Sequence, residues 1–236
     1  MTAPDTTKLI CLPYAGAGAS FYRPWVALAG DALEIMALQL PGRERLIDEE
    51  PYRDAHQAVD GLLAQLRDRL AEDGGRVALF GHSLGAVLAY ELAHRLVDEP
   101  GVELVHLFVS GSPEPARGRE RRATGLSDED FLARVGEFAG YHHPALDDPE
   151  MREMILPALR ADVEMHENYV PGTDLPLNVP LTVVRGEDDD LVGYDDAESW
   201  SKVAGRDFEH VEVPGGHMYL TDAASTLVRL IVSTVL

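Results

Sequence analysis

Residues 76–96 read Arg76-Val-Ala-Leu-Phe80, then Gly81-His82-Ser83-Leu84-Gly85, then Ala86-Val-Leu-Ala-Tyr-Glu-Leu-Ala-His-Arg-Leu96. The first five residues are a short apolar run of strand length, and the last eleven are apolar at helical spacing. Between them there is room for one tight turn with a serine at its centre. A turn that sharp forces the serine into a strained backbone conformation, and a glycine two positions to either side lets neighbouring backbone pass close by. The serine hydroxyl is lifted above the strand end, with the helix N-terminus pointing at it. Glycine is common enough that the five residues alone arise by chance; the strand before and the helix after give the pattern its weight. The competing reading is a glycine-rich turn whose serine merely caps the helix.

Working outward, similar β-rich runs occur at Leu9–Leu12, Glu34–Leu40, Leu104–Ser110, Leu181–Arg185 and His210–Val213. Most are continuously apolar rather than alternating, as expected of strands covered on both faces. Tyr52–Glu72 sets Ala58, Leu62, Leu66 and Leu70 on one helical stripe. Strand–helix alternation of this kind predicts an α/β architecture, a mostly parallel sheet flanked by helices. With the Ser83 turn it predicts the α/β-hydrolase fold.

One connection breaks the rhythm. About 70 residues separate Ser110 from Leu181, too many for a bare loop. Ser127 reads as an N-cap, with Asp128 and Glu129 in the first turn and Phe131, Val135 and Phe138 behind it. A second helix is expected from Pro149 through Asn168. Residues 112–178 are therefore read as a helical lid insertion at the carboxyl edge of the sheet, within one α/β domain spanning 1–236.

Composition narrows the function classes. The chain carries 41 acidic and 20 basic residues, for a net charge of −21, a field that repels phosphate backbones and anionic lipid. Neither nucleic acid nor a membrane is an expected partner. No apolar run reaches membrane-spanning length and the N-terminus has no signal-peptide pattern, so a cytoplasmic location is expected. The lone cysteine, Cys11, lies in the apolar run Leu9–Leu12 and reads as a small core residue rather than a nucleophile. Gly16-x-Gly18 could open a dinucleotide fingerprint, but Phe21 stands where the third glycine is needed. No cofactor is expected, and no metal-ligand spacing links His142, His143 and His166.

A serine hydroxyl needs an adjacent base, itself oriented by a third group. Among nine histidines, only His217 lies in a Gly-Gly-His turn directly after the last strand, with a closing helix (about Asp222–Val235) beyond it. His210 precedes it in the strand and reads as a surface or packing residue, while His82 is expected to point away along the elbow. The acid should leave the end of the preceding strand, where Glu187, Asp188, Asp189 and Asp190 stand in a row. Gly186 before and the re-entrant Leu191-Val192 after favour Asp189; Asp190 is its competitor, and Glu114 a more distant rival. The oxyanion formed on attack needs two backbone donors. Leu84 is expected to supply one and Ala15, in the small-residue loop Pro13–Ser20, the other, with Gly16 as a substitute.

The chain resembles the type II (discrete, editing) thioesterases that accompany polyketide synthases and nonribosomal peptide synthetases. The matching stretches are Leu12-Pro-Tyr-Ala-Gly16, Phe21-Tyr-Arg-Pro-Trp25, Pro41-Gly-Arg-Glu-Arg45, Gly81-His-Ser-Leu-Gly85, Leu156-Pro-Ala-Leu-Arg-Ala-Asp162 and Gly215-Gly-His217. The Pro41–Arg45 and Leu156–Asp162 stretches are the discriminating ones. The resemblance implies hydrolysis of the thioester between an acyl group and the phosphopantetheine arm of an acyl or peptidyl carrier protein, to free a stalled assembly line. Two departures stand out. Asp190 replaces the usual proline after the triad acid, and Met218-Tyr219 replace a pair of aromatics after the histidine. Carrier proteins are usually acidic, as this chain is, so a docking role is expected for the local arginines Arg117, Arg119, Arg121 and Arg122. The rival readings are a carboxylesterase or lipase acting on free small esters, an acyltransferase, and a catalytically silent binding protein.

Overall fold

The computed structural model describes residues 6–70, 75–118, 122–139 and 146–236. Six strands, β1 (Lys8–Leu12), β2 (Glu34–Ala37), β3 (Gly75–His82), β4 (Val102–Ser110), β5 (Leu181–Gly186) and β6 (Phe208–Val213), form one sheet in the order β2-β1-β3-β4-β5-β6. Every pairing is parallel. Each expected strand is present, within a few residues of its expected ends. β2 stops at Ala37 rather than Leu40 for an identifiable reason. Past Leu38, the side chain of Gln65 takes over the ladder: its Oε1 accepts the Gln39 N–H at 3.3 Å and its Nε2 donates to the Gln39 carbonyl at 2.8 Å.

The continuously apolar strands divide their side chains between two cores by simple alternation. Ile10, Leu12, Val77, Leu79, Leu107 and Val109 face α2 (Ala55–Leu70) and α3 (Leu84–Leu96). Leu9, Cys11, Ala78, Phe80 and Phe108 face α1 (Arg23–Ala29) and the closing helix, residues 224–235. On that second side Trp25 packs on Phe80 with ring centroids 4.9 Å apart, and Tyr22 donates its hydroxyl to the Leu12 carbonyl at 2.8 Å. The α1 segment was not anticipated from sequence, because its seven residues are too few to declare a helical period.

Cys11 is fully buried, and burial pushes its thiol well above the ordinary range. It is a core residue, as expected. Iodoacetamide should leave the native protein unlabelled and add one label in denaturant; labelling under native conditions would show that β1 opens.

Between β4 and β5 lie the two expected helices, α4 (Asp128–Ala139) and α5 (Pro149–Glu167). Ser127 caps α4, its Oγ accepting the Asp130 N–H at 3.2 Å. Asp148 caps α5 by accepting from Glu150 and Met151. Phe131 of α4 packs with Leu156 and Leu159 of α5, and the Arg160 guanidinium sits 4.3 Å from the Phe131 ring centroid. The side chain of Phe138, the residue pair Arg119 and Arg121, and the pair His142 and His143 lie outside the described part. Beyond β5 come α6 (Tyr194–Glu198) and, after β6, α7 (Ala224–Val235).

Candidate active site

Ser83 stands between β3 and α3 with φ +53° and ψ −116°, one of two non-glycine residues at positive φ among those described. Such a conformation costs on the order of 1–3 kcal/mol and persists only where the surroundings enforce it. Here its N–H is tied to the Ser110 carbonyl at 2.8 Å and its carbonyl accepts from Ala86 at 3.0 Å. The flanking glycines are needed for space. A Cβ on Gly81 would lie 1.9 Å from the Gly85 carbonyl oxygen, and one on Gly85 would lie 2.6 Å from that of Leu12.

His217 stands in the turn after β6, and its Nδ1 is 2.9 Å from Asp189 Oδ2. Both residues are buried. The other Asp189 oxygen accepts the N–H groups of Leu191 at 2.9 Å and Val192 at 3.1 Å. Of the four consecutive acids only Asp189 is buried; Glu187, Asp188 and Asp190 face solvent. Burial alone would raise the Asp189 carboxyl, but the hydrogen bond and charge of His217, with the two backbone donors, hold it below its ordinary value. Asp189 is thus a carboxylate at neutral pH. Its stabilising contribution is full above the unfolded-state value near 4 and is lost as pH falls through the lower folded value. The two turns are knitted together, since Glu187 N–H bonds Val213 O at 2.8 Å and Asp188 N–H bonds Gly215 O at 3.0 Å. Glu114 is engaged elsewhere, accepting from Ala116 N–H and lying 3.5 Å from Lys202 Nζ.

Ser83, His217 and Ala15 line one cavity of about 360 Å³, walled further by Val135, Ile155, Leu159, Val163, Leu191 and Met218. The helices between β4 and β5 thus contribute much of its apolar surface. Leu84, the first residue of α3, is buried directly behind Ser83. His82 does not point away from this region, contrary to expectation. Its ring centroid is 5.0 Å from that of His217, and its Nδ1 is 2.8 Å from Ser110 Oγ, which also contacts the Tyr219 hydroxyl. Tyr219 in turn donates to the Val184 carbonyl at 3.0 Å. A buried polar chain therefore underlies His217. Met218 reaches the cavity; Tyr219 serves this chain instead.

A second buried constellation went unread in the sequence. Arg43 and Asp162 form a two-pronged ion pair, Nη1–Oδ2 2.5 Å and Nη2–Oδ1 2.8 Å. Asp162 Oδ2 also accepts the Gly16 N–H at 2.7 Å, and Arg43 Nη1 donates to the Ala17 carbonyl at 3.2 Å. The pair fastens the loop after β1 to α5. It also occupies the Gly16 N–H, whereas Ala15 lines the cavity. A signal was present: Ile155, Leu159, Asp162 and Val163 share one helical face, and a charge on an apolar face needs a buried partner.

Two of the arginines expected to dock a carrier make ion pairs within the chain. Arg117 pairs with Asp196, and Arg122 lies 3.6 Å from Glu167 and bonds Asn168. No group of metal-ligating side chains and no helix long and apolar enough to cross a membrane occurs among the described residues.

A family model described as a thioesterase domain matches residues 7–234. The gramicidin S biosynthesis protein GrsT of Aneurinibacillus migulanus is 32% identical over 223 residues, covering 94% of this chain and 86% of that one. Among solved structures, the type II thioesterase BorB from the borrelidin biosynthetic cluster superimposes with a TM-score of 0.84 at 33% identity, covering 99% of this chain and 92% of BorB. ClbQ from the colibactin pathway gives a TM-score of 0.89 at 27% identity, covering 97% and 96%. With the parallel sheet, these likenesses make the fold an α/β-hydrolase.

Proposed function

Because the chain belongs to the thioesterase domain family, and is therefore a thioester hydrolase, we propose that it removes acyl groups from the phosphopantetheine arm of acyl or peptidyl carrier proteins, in polyketide or nonribosomal peptide synthesis. Likeness along nearly the whole chain to type II thioesterases of biosynthetic pathways carries this reading. An apolar cavity with Ser83 and His217 on its wall supports it chemically. The carrier protein is the partner, and the arm is its own, so the enzyme itself needs no cofactor.

In this mechanism Ser83 Oγ attacks the thioester carbonyl carbon while His217 Nε2 takes its proton. Asp189 holds the imidazole in the tautomer with Nδ1 protonated and balances the imidazolium charge. The N–H groups of Leu84 and Ala15 receive the oxyanion. Collapse breaks the carbon–sulfur bond and the imidazolium protonates the departing thiolate. Water, deprotonated by His217, then attacks the acyl-serine ester, releasing the carboxylic acid and restoring Ser83. Residues 112–178, within a single 1–236 domain, act as the lid that shapes the acyl pocket.

The test is a carrier protein loaded with acetyl or propionyl, followed by intact-protein mass spectrometry. Loss of the acyl mass is expected, faster than cleavage of the matching p-nitrophenyl ester. Cleavage of the free ester with the carrier thioester untouched would replace this reading by the esterase one.

A further inference from the structure

Beside the catalytic cavity lies a second concavity of about 370 Å³, lined by Ala19, Ser20, Arg23, Gln39, Glu44, Arg45 and Arg69. Three arginines converge there on a chain whose net charge is −21. Most arginines elsewhere hold a carboxylate: Arg43, Arg53, Arg67, Arg95, Arg117, Arg160 and Arg185 each have one within 4 Å. Arg23, Arg45 and Arg69 have none among the described residues. Arg69 donates to the Ala37 carbonyl at 3.0 Å. Its guanidinium is held below the ordinary value first by desolvation and then by the charge of Arg45. Glu44 lines the same hollow and is exposed, but its carboxylate bonds Ser20 rather than an arginine. Its Oε1 accepts from Ser20, both N–H and hydroxyl, and its backbone is the other positive-φ position, at +49°. Three cations and a single carboxylate, itself bonded to Ser20, leave the hollow with a net positive charge.

Its position gives that charge a use. Ser20 lines both concavities, so the Gly18–Ser20 strip is a thin wall between the arginines and the acyl cavity. Glu44 fixes this wall from behind. We propose that Arg23, Arg45 and Arg69 form an anion subsite for the phosphate at the far end of the thioester's pantetheine arm. Guanidinium groups suit phosphate because their planar donor pairs match its oxygens. The subsite offers attraction where the rest of the surface repels, so it raises the productive encounter rate as well as the affinity. This inference rests on the pantetheine-thioester reading above.

The test compares two small substrates that differ only in the anion, an acyl-pantetheine and the same acyl 4′-phosphopantetheine. Wild type should favour the phosphorylated one by about tenfold in kcat/KM at low salt, with the preference shrinking as salt rises. In Arg23→Ala/Arg45→Ala the ratio should fall towards one. Both side chains are exposed and hold no partner, so the fold should survive; an unchanged thermal midpoint checks this, and Arg45→Glu should invert the preference. Equal wild-type rates on the two substrates would overturn the subsite while leaving the thioesterase reading intact. So would a loss confined to carrier-bound substrate with the small-substrate ratio unchanged, which would assign these arginines to the carrier's acidic surface. Cleavage of p-nitrophenyl esters with neither thioester touched would remove the proposed function and this inference together.

Discussion

Ser83→Ala should lower kcat on an acyl thioester by about 10⁴- to 10⁶-fold, and adding His217→Ala to it should remove almost nothing more. The reason is that the two act as one device. Without the hydroxyl there is no proton for the imidazole to take, and without the imidazole the hydroxyl is a poor nucleophile at neutral pH. The acid enters the same unit through the 2.9 Å bond to His217. Asp189→Asn keeps the shape but offers the ring an amide, which favours the wrong tautomer, and should lower kcat by about 10³- to 10⁴-fold. Asp190→Asn, one residue on and facing solvent, should stay within about twofold. Single-turnover kinetics on the four variants decide the matter. Independent, multiplicative losses for Ser83 and His217, or a larger loss at Asp190 than at Asp189, would break the assignment.

Asp162→Ala should damage both stability and turnover, although it is expected to touch no reacting atom. The Asp162 and Arg43 side chains are 1% and 8% exposed, so removing one leaves a charge buried without its partner. Losses of this kind run to about 3–5 kcal/mol, which for a chain of this size lowers the midpoint by roughly 10 °C or more. Turnover falls because Gly16 loses its acceptor and the loop carrying Ala15 loses its hold on α5. The double variant Arg43→Met/Asp162→Leu separates the two effects. Replacing the whole pair by apolar groups should recover much of the midpoint. It should not recover kcat, since the Gly16 N–H still lacks its acceptor. Recovery of both together would mean the pair serves stability alone.

Much of this was legible from the chain. The strands announced themselves as apolar runs because a doubly covered parallel sheet buries both faces. Ser83 and His217 stood out because the glycines beside them mark sharp turns with close backbone approach. Asp189 was singled out among four neighbours by the Leu191-Val192 pair, whose N–H groups bond its carboxylate. The rest failed for physical reasons. Arg43 and Asp162 are 119 residues apart, and no local period reports a contact at that separation. His82 was misplaced because the elbow's direction depends on Ser110, at the end of β4, and Tyr219, in the turn after β6. The pairing of Arg117 with Asp196 and of Arg122 with Glu167 was likewise hidden, because the partners are far apart in the chain.

The knitting of the turns has a consequence in time. Ser83 is held by Ser110, and the turns bearing Asp189 and His217 hold each other through Val213 and Gly215. These contacts join segments far apart in the chain, and their loop-closure entropy must be met before any of them returns stabilisation. A ribosome delivers Ser83 more than a hundred residues before Asp189, so under the proposed mechanism the nascent chain carries a serine without its base until the turn after β6 has formed.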